Sequence, residues 1–311
     1  MRVIFMGSPQ FAVPSLEAVH SSNHDVVAVV TQPDRPVGRS LKVHPPPVKV
    51  SAQALDIPVL QPATTKSPEF IDQISAFGPD ILVVVAYGEI LRKNVLELPA
   101  AGAVNLHASL LPKYRGAAPI PWAILNGETE TGCTTMQMSL EMDAGPLYLQ
   151  EKCSIHPSDT TETLSRKLSE LGAPLLKLTL DLIEKNAMVP VTQDLSAVTF
   201  APKLKKQNGR VDWNRPSDWI SRQIRAFDPW PGTFSRIAET ELKLWLAQAI
   251  DGKAAEKPGT IINVLKHALL VACGEGTILQ LLEVQPESRP RMTAHEFAIG
   301  YRIKAGDSFL A

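Results

Sequence analysis

The sequence predicts an α/β fold, in which a doubly wound and mostly parallel sheet is followed by a small C-terminal β-barrel. Two observations predict the sheet: short apolar runs that end in turn residues, and helix-like stretches between those runs. One observation predicts the barrel: strand-like segments separated by Gly, Pro or charged turns fill residues 233–286. The 311 residues are enough for two domains, and 44% of them are hydrophobic. We therefore expect a Rossmann-like sheet and then an OB-like barrel.

The first strands and helices alternate along the chain. The apolar runs are residues 2–7, 25–33, 80–88 and 102–109, and the helix-like stretches between them are residues 13–22, 48–56 and 67–78. Ligands bind outside the carboxyl ends of the strands in such sheets. Asn105 and His107 lie near one of those ends.

The next segments continue the same pattern. Residues 119–127 read as a short helix, and residues 134–146 as a strand with an acidic turn after it. Asp159 and Glu162 have the spacing of a capping box, and they open a helix whose apolar face carries Leu164, Leu168 and Leu171. The Gly-Ala-Pro at 172–174 predicts a kink or an end, with a helical continuation over 175–186.

The helix and strand periodicity is lost after about residue 188, and this change predicts the domain organisation. We expect an α/β domain over 1–188, a linker over 189–208 that lacks periodicity, and a barrel domain over 209–311. Residues 217–227 read as a helix before the barrel strands. Thr293 and Glu296 form a second capping box near the end of the chain.

One stretch fits neither sheet nor helix. Residues 33–47, PDRPVGRSLKVHPPP, contain five prolines and follow a strand at the edge where ligands bind. Arg35, Arg39 and Lys42 are spaced through it as phosphate contacts would be. The alternative is a disordered insertion.

Charge and cysteine content suggest the partners and the compartment. The net charge is −1, but residues 1–202 are net acidic and residues 203–311 are net basic, which hints at a polyanionic partner. The basic excess begins at KLKKQNGR (203–210), for which a solvated linker is the alternative.

The three cysteines form no Cys-x-x-Cys pair, and no stretch reaches the roughly 18 apolar residues of a membrane span. We expect a cytoplasmic protein.

Several kinds of site are absent from the sequence. Gly7 stands alone after the first strand, so no dinucleotide fingerprint follows it. There is no P-loop, no G-x-S-x-G nucleophile elbow, and no clustered Cys/His or H-E-x-x-H motif. We therefore expect no metal.

What remains as candidate chemistry is Asn105, His107 and Asp143. Asn105 and His107 are two apart on a strand, so their side chains face the same way. An amide and an imidazole together can stabilise an oxyanion, and a carboxylate can orient the imidazole. The set suits attack by an external nucleophile on a carbonyl. The alternative is that Asn105 and His107 only satisfy backbone groups at a strand end.

The wider sequence resembles the formyltetrahydrofolate-dependent formyltransferase family. The residues that carry the resemblance are NLHASLLPKYRGAAPI (105–120) and MDAGP (142–146), with VVAYGEIL (84–91) and RAFDPWPG (225–232) in addition. FMGSPQF (5–11) and VTQPDRPVGR (30–39) are similar to the branch that formylates methionine carried on initiator tRNA. The resemblance covers essentially the whole chain.

The resemblance implies transfer of the formyl group of 10-formyltetrahydrofolate to the α-amino group of methionyl initiator tRNA. It assigns Asn105, His107 and Asp143 to catalysis, by stabilising the tetrahedral intermediate. The implied folate site is formed by Ser109, Leu110, Leu111, Pro112, Ala86, Tyr87, Gly88, Ile90 and Leu91. The implied tRNA contacts are Arg35, Arg39, Lys42, Lys203, Lys205 and Lys206. A monomer without metal is expected, and Lys113 and Arg115 are left without a role.

Two other functions remain open at this point. A formyltransferase acting on a small amine, such as a nucleotide sugar, would share the three catalytic residues but would not need a basic arm at 33–47. A non-catalytic folate- or RNA-binding module would use the same pocket without chemistry, and the intact Asn105, His107 and Asp143 weigh against it.

Overall fold

The structure is a computed structural model that describes residues 1–37 and 42–310, with only the backbone of Val37 and Lys42. The chain divides into two compact units. The first unit contains residues 1–119, 130–154 and 165–201, and the second contains residues 120–129, 155–164 and 202–311. In the part described, no helix is long and apolar enough to cross a membrane.

A seven-stranded sheet forms the centre of the first unit. Its strands are β1 (Arg2–Gly7), β2 (Asp25–Val30), β5 (Val59–Leu60), β6 (Ile81–Val85), β7 (Ala103–His107), β8 (Glu130–Gln137) and β9 (Leu147–Ser154), in the spatial order β5-β2-β1-β6-β7-β8-β9. The first five strands in that order are parallel, and β8 and β9 are antiparallel. Every residue of β6 is buried, as expected for a strand covered on both faces. The predicted mostly parallel α/β sheet is confirmed.

Helices accompany these strands as the alternating pattern predicts. They are α1 (Val13–His20), α2 (Pro47–Ala54), α3 (Pro68–Ala76), α4 (Lys93–Leu96) and, after α5 (Pro119–Leu125), which belongs almost wholly to the second unit, α6 (Thr161–Glu184), most of which belongs to the first unit. Helix α6 runs on through residues 172–174, where the sequence predicts a kink or an end, so the alternative of an end is wrong. Gly172 lies so close to Leu106 that a β-carbon there would stand 2.7 Å from Leu106 Cδ2, so this glycine serves packing rather than termination. Pro174 is exposed, and burial of Leu168 and Leu176 on the opposite face offsets its lost hydrogen bond.

The start of α6 also differs in detail from the predicted capping box. Thr160 and Thr163 cap each other, because each backbone N–H donates to the other hydroxyl, at 3.0 and 3.3 Å. Asp159 instead accepts hydrogen bonds from the His156 N–H and the Thr163 hydroxyl. The observed cap, Thr160 with Thr163, therefore lies one residue after the predicted pair, Asp159 with Glu162. The Thr293–Glu296 capping box is confirmed.

The prediction that residues 33–47 fit neither sheet nor helix is wrong for part of that stretch. Strand β3 (Arg35–Val37) pairs antiparallel with β4 (Lys42–His44), and α2 begins at Pro47. Proline is tolerated here because an isolated two-stranded ribbon has free edges, and because a helix accepts proline in its first turn. Arg39, which comes between these two strands in the sequence, lies outside the described residues.

The second unit contains an antiparallel sheet that closes on itself. Its strands are β10 (Thr233–Ile237), β11 (Thr240–Ile250), β12 (Ile261–Leu265), β13 (Ala268–Ala272), β14 (Ile278–Pro286), β15 (Met292–Thr293) and β16 (Phe309–Leu310), accompanied by α7 (Ser217–Ala226) and α8 (Ala294–Tyr301). The sheet order is β12-β13-β14-β11-β10-β16, with β15 beside β14. Hydrogen bonds from Phe309 N to Gly259 O and from Ile261 N to Asp307 O join the two ends of the sheet. The predicted barrel is confirmed.

The barrel encloses an apolar core built from alternate residues of its strands. Trp213 and Phe309 stack in this core with their ring centroids 4.7 Å apart, and Phe297 of α8 is fully buried beside them. The Trp213 indole N–H donates to Ser235 Oγ at 2.9 Å, so its polar atom is satisfied within the core.

Candidate active site

Strand β7 ends on the two polar residues that the sequence singles out. Val84 of β6 pairs with Asn105 on one side, and Met136 of β8 pairs with it on the other, so β7 lies inside the sheet. Asn105 is half-buried, and no described residue hydrogen-bonds to its carboxamide. A half-buried amide without a partner at the carboxyl edge of a parallel strand can donate to a bound ligand.

The His107 ring makes one firm contact and one loose contact. Its Nε2 lies 3.0 Å from the backbone oxygen of Tyr114. Because a carbonyl can only accept, Nε2 carries a hydrogen and donates it. Its Nδ1 lies 3.7 Å from Asp143 Oδ2, which exceeds hydrogen-bond length. Nδ1 is therefore the ring atom that can form a hydrogen bond with a bound ligand, and Asp143 lies next to it.

Asp143 sits on a turn with an unusual backbone. Its φ of 51° is in the left-handed region, which Asp tolerates better than most residues. Its Oδ2 accepts a hydrogen bond from the Gly116 N–H at 2.8 Å. Gly116 has φ 125°, and a β-carbon there would stand 2.6 Å from the Ala201 oxygen, so only glycine fits this position. One carboxylate oxygen is thus held by a backbone amide, which leaves Oδ1 for other contacts.

The SLLP segment forms a tight turn directly after β7. The Lys113 N–H donates to the Leu110 oxygen at 3.1 Å, and the Leu111–Pro112 peptide is cis, which makes this a type VI turn. The Ser109 hydroxyl closes the turn by donating to the Lys113 oxygen at 2.6 Å. Ser109 and Leu111 are buried, whereas Leu110 and Pro112 are partly exposed.

Thr134 of β8 anchors this turn. Its hydroxyl donates to the Ser109 oxygen at 2.6 Å and accepts from the Leu111 N–H at 3.1 Å and from Gln150 Nε2 at 2.9 Å. Gln150 Nε2 also donates to the Leu111 oxygen at 2.7 Å. The fully buried Thr134 therefore joins the turn to the sheet.

We expect Thr134→Val to lower Tm by roughly 5 °C, because it leaves buried polar groups of the turn unpaired at a cost of about 2 kcal/mol. Thr131→Val is the matched control. Thr131 is also buried in β8, yet no described group hydrogen-bonds to its side chain, so Tm should stay nearly constant. Thermal unfolding of both variants measures the difference, and equal shifts would contradict the anchoring role.

The segment after β6 lies at the same edge of the sheet, because β6 and β7 are parallel neighbours. Ala86, Gly88 and Ile90 are exposed, whereas Tyr87 and Leu91 are buried in the apolar core. Burial, with a smaller effect of the nearby Glu89 carboxylate, raises the pKa of Tyr87 to about 12. Tyr87 is therefore a neutral core residue at neutral pH.

The basic residues singled out from the sequence are spread over both units. Arg35 is exposed, and its Nη2 donates to Gln32 Oε1 at 3.0 Å. Lys203, Lys205 and Lys206 are exposed in the second unit. Arg39 and the side chain of Lys42 lie outside the described residues.

Sequence reasoning missed several groups that hold the site together. They are Thr134, Gln150, Gln193, Thr199 and the backbone of Tyr114 and Gly116. Arg115 was noticed but left without a role, and it is buried with 7% of its surface exposed. Gln193 gave no signal, because it lies in the predicted linker among residues without periodicity.

Comparison with known proteins gives matches over nearly the whole chain. Residues 1–180 match the family described as formyl transferase, and residues 203–302 match the formyl transferase C-terminal domain. A methionyl-tRNA formyltransferase of Geobacter sulfurreducens is 46% identical over 306 residues, which cover 98% of this chain and 96% of the relative. Another methionyl-tRNA formyltransferase, from Moorella thermoacetica, is 44% identical over 307 residues, covering 99% and 98% of the two chains.

Solved structures share the fold at low sequence identity. WlaRD, a sugar 3N-formyl transferase crystallised in the presence of dTDP and 5-N-formyl-THF, superposes with a TM-score of 0.67 at 17% identity, covering 93% of this chain and 99% of WlaRD. HypX from Aquifex aeolicus in complex with tetrahydrofolic acid gives a TM-score of 0.62 at 16% identity over 96% of this chain. The chain spans about half of HypX, with 47% of that protein covered.

Proposed function

Because the chain belongs to the formyl transferase family, we propose that it transfers the formyl group of 10-formyltetrahydrofolate to the α-amino group of methionyl initiator tRNA. It is an enzyme of formyl transfer, and its donor is a folate-derived formyl compound. One observation of the site carries the proposal: the carboxamide of Asn105 has no partner among the described residues and lies two residues from His107, at the strand edge where ligands bind.

The reaction joins two substrates without a covalent enzyme intermediate. The amino nitrogen of methionine attacks the formyl carbon, a new C–N bond forms, and the bond from that carbon to N10 of the folate breaks. The formyl oxygen gains negative charge during the attack, while the attacking nitrogen must lose a proton. The site therefore has to supply hydrogen-bond donors for the oxygen and an acceptor for the proton.

Asn105 and His107 are the proposed donors to the formyl oxygen. Asn105 offers an N–H that no described group uses. His107 keeps Nε2 on the Tyr114 carbonyl, so a protonated Nδ1 is the ring atom that can donate. Two donors that are already in place cost no reorganisation when the charge develops.

Asp143 is the proposed electrostatic partner of His107. Its Oδ2 lies 3.7 Å from His107 Nδ1, so the negative charge of the carboxylate faces the ring nitrogen that is turned to the substrate. Its second oxygen, Oδ1, is not used by the Gly116 amide and can accept the ammonium proton, directly or through water. In this proposal Asp143 therefore has two roles: one oxygen lies beside His107, and the other can accept the proton of the attacking amine.

The proposed folate pocket lies beside these donors. In the SLLP turn, Leu110 and Pro112 present surface, while Ser109 and Leu111 are the buried anchors. Ala86, Gly88 and Ile90 present surface after β6, and Tyr87 and Leu91 fix that segment in the core. The adjacency of the turn to His107 brings the donor substrate to the oxyanion site, as near-attack geometry requires.

The proposed tRNA contacts are Arg35, Arg39, Lys42, Lys203, Lys205 and Lys206. The exposed side chains of Arg35 and the three lysines support this assignment, because phosphate contacts need accessible cations. In this proposal residues 1–188 are the catalytic domain, 189–208 the linker and 209–311 the tRNA-binding domain. The protein acts as a cytoplasmic monomer.

The choice of acceptor tests the proposal. We expect formyl-methionine when the protein is incubated with 10-formyltetrahydrofolate and charged initiator tRNA, and none with free methionine or an amino-sugar nucleotide at equal concentration. KM for the tRNA should rise steeply with salt, because phosphate contacts release counterions. Mass spectrometry of the hydrolysed acceptor is the readout. Preferential formylation of the amino sugar, or a KM that is flat with salt, would favour the small-amine formyltransferase instead.

A further inference from the structure

A buried glutamine of the predicted linker reaches the catalytic turn. Gln193 has 5% of its surface exposed, and its Nε2 donates to the backbone oxygens of Asp143 at 2.8 Å and Gly145 at 2.7 Å. Its Oε1 accepts from Nε and Nη2 of Arg115, at 3.1 and 2.7 Å. Both amide hydrogens and both oxygen lone pairs are therefore used, so the carboxamide has one orientation.

Arg115 lies in the loop that holds both catalytic side chains. The residue before it, Tyr114, accepts the hydrogen bond from His107 Nε2. The residue after it, Gly116, donates its N–H to the Asp143 carboxylate. A displacement of the Arg115 backbone would therefore move both contacts together.

The same predicted linker also holds the backbone of this loop. The Arg115 N–H donates to the Thr199 oxygen at 2.9 Å, and the Ala201 N–H donates to the Arg115 oxygen at 2.7 Å. The Tyr114 N–H donates to the Thr199 hydroxyl at 2.8 Å. These bonds fix the loop alone, whereas Gln193 is a single side chain that bonds both the Arg115 loop and the Asp143 turn.

We propose that Gln193 is a positioning residue for catalysis, which holds the Asp143 turn against the Arg115 loop and so sets the distance between Asp143 and His107. The inference rests on the proposed function for its catalytic consequence, but not for its geometry. Asp143 has a left-handed backbone and needs outside contacts to stay there. The two carbonyl bonds from Gln193 are such contacts, and they fall on Asp143 itself and on Gly145.

The test compares Gln193→Met, which keeps the side-chain volume, in two backgrounds. We expect kcat for formyl transfer to fall roughly 10- to 100-fold in the otherwise unchanged enzyme, because small misplacements of catalytic groups have effects of this size. KM for the donor should stay within about twofold. In the Asp143→Ala background the same change should lower kcat less than about twofold, since Gln193 acts through Asp143. An equal loss in both backgrounds would overturn the proposal.

Gln193→Glu tests the contacts of the amide nitrogen separately from those of the amide oxygen. It keeps oxygens for Arg115 but removes the N–H groups that bind Asp143 and Gly145. We expect kcat to fall as far as in Gln193→Met. Full activity of Gln193→Glu would overturn the proposal, because the Arg115 contact alone would then suffice.

Gln223→Met is the matched control for loss of a buried carboxamide. Gln223 is also buried, and its Nε2 also donates to two backbone oxygens, those of Asn208 and Arg210, in the second unit. The ¹⁵N signals of the His107 ring should shift in Gln193→Met and stay in place in Gln223→Met, at comparable Tm. Unchanged His107 signals in Gln193→Met would overturn the proposal. The NMR comparison needs no turnover. If the unsubstituted enzyme transfers no formyl group while the His107 signals still shift in Gln193→Met, only the proposed function is refuted.

Discussion

We expect replacement of His107 by alanine to lower kcat for formyl transfer on the order of 100-fold or more, with little change in KM for either substrate. In the proposed mechanism His107 supplies a preorganised donor to the formyl oxygen, and removal of one such donor typically has an effect of this size. The ring is buried, and its Nε2 is fixed on the Tyr114 carbonyl, so its position in the folded enzyme is defined. Steady-state kinetics with methionyl-tRNA measure the loss.

The matched control for this change is His20→Ala. His20 lies at the end of α1 with its side chain exposed, so its removal should leave kcat within about twofold. Turnover by His107→Ala at the level of His20→Ala would remove His107 from the catalytic set.

Asp143→Asn is expected to lower kcat by a similar factor, about 100-fold, although the side chain keeps its size. An asparagine oxygen can still accept the Gly116 N–H, so the turn keeps its anchor. The variant loses the negative charge 3.7 Å from His107 Nδ1 and, with it, the carboxylate that is proposed to accept the ammonium proton. The expected signature is therefore a loss of kcat with an unchanged Tm.

Asp72→Asn controls for the loss of one carboxylate. Asp72 is exposed on α3, so neither kcat nor Tm should change measurably. A kcat of Asp143→Asn close to that of the unsubstituted enzyme would show that the charge is not needed. A large drop in Tm would show instead that Asp143 is chiefly structural.

Most of the fold could be predicted from the sequence, because its signals are local. Apolar runs and helix periodicity identified strands such as β1 and β6 and helices such as α3, and the family resemblance is confirmed by matches over both parts of the chain. Where the prediction was wrong, tertiary packing overrode local propensity. The Gly-Ala-Pro of α6 predicts a kink or an end, and the end is wrong, because close contact of Gly172 with Leu106 and burial of the neighbouring leucines keep the helix continuous.

The candidate site was only partly visible in the sequence. Asn105 and His107 were recognisable because they lie two apart at the end of an apolar run, and Asp143 because an acidic turn follows a strand. Gln193 could not be found, because it is 50 residues from Asp143 along the chain and approaches through an irregular segment. The role of Tyr114 was also hidden, since it acts through its backbone oxygen and not through its side chain.

In the proposed function, Asn105, His107 and Asp143 carry formyl transfer from the folate to methionyl-tRNA. A single-turnover experiment tests it most directly: the enzyme, in excess over methionyl-tRNA, is mixed with 10-formyltetrahydrofolate labelled in the formyl group, and the label on methionine is followed in time. We predict rapid transfer of the label to methionyl-tRNA by the unsubstituted enzyme, and a rate about 100-fold lower for His107→Ala under the same saturating conditions. Absence of label on methionine with the unsubstituted enzyme, or equal rates for the two proteins, would contradict the claim.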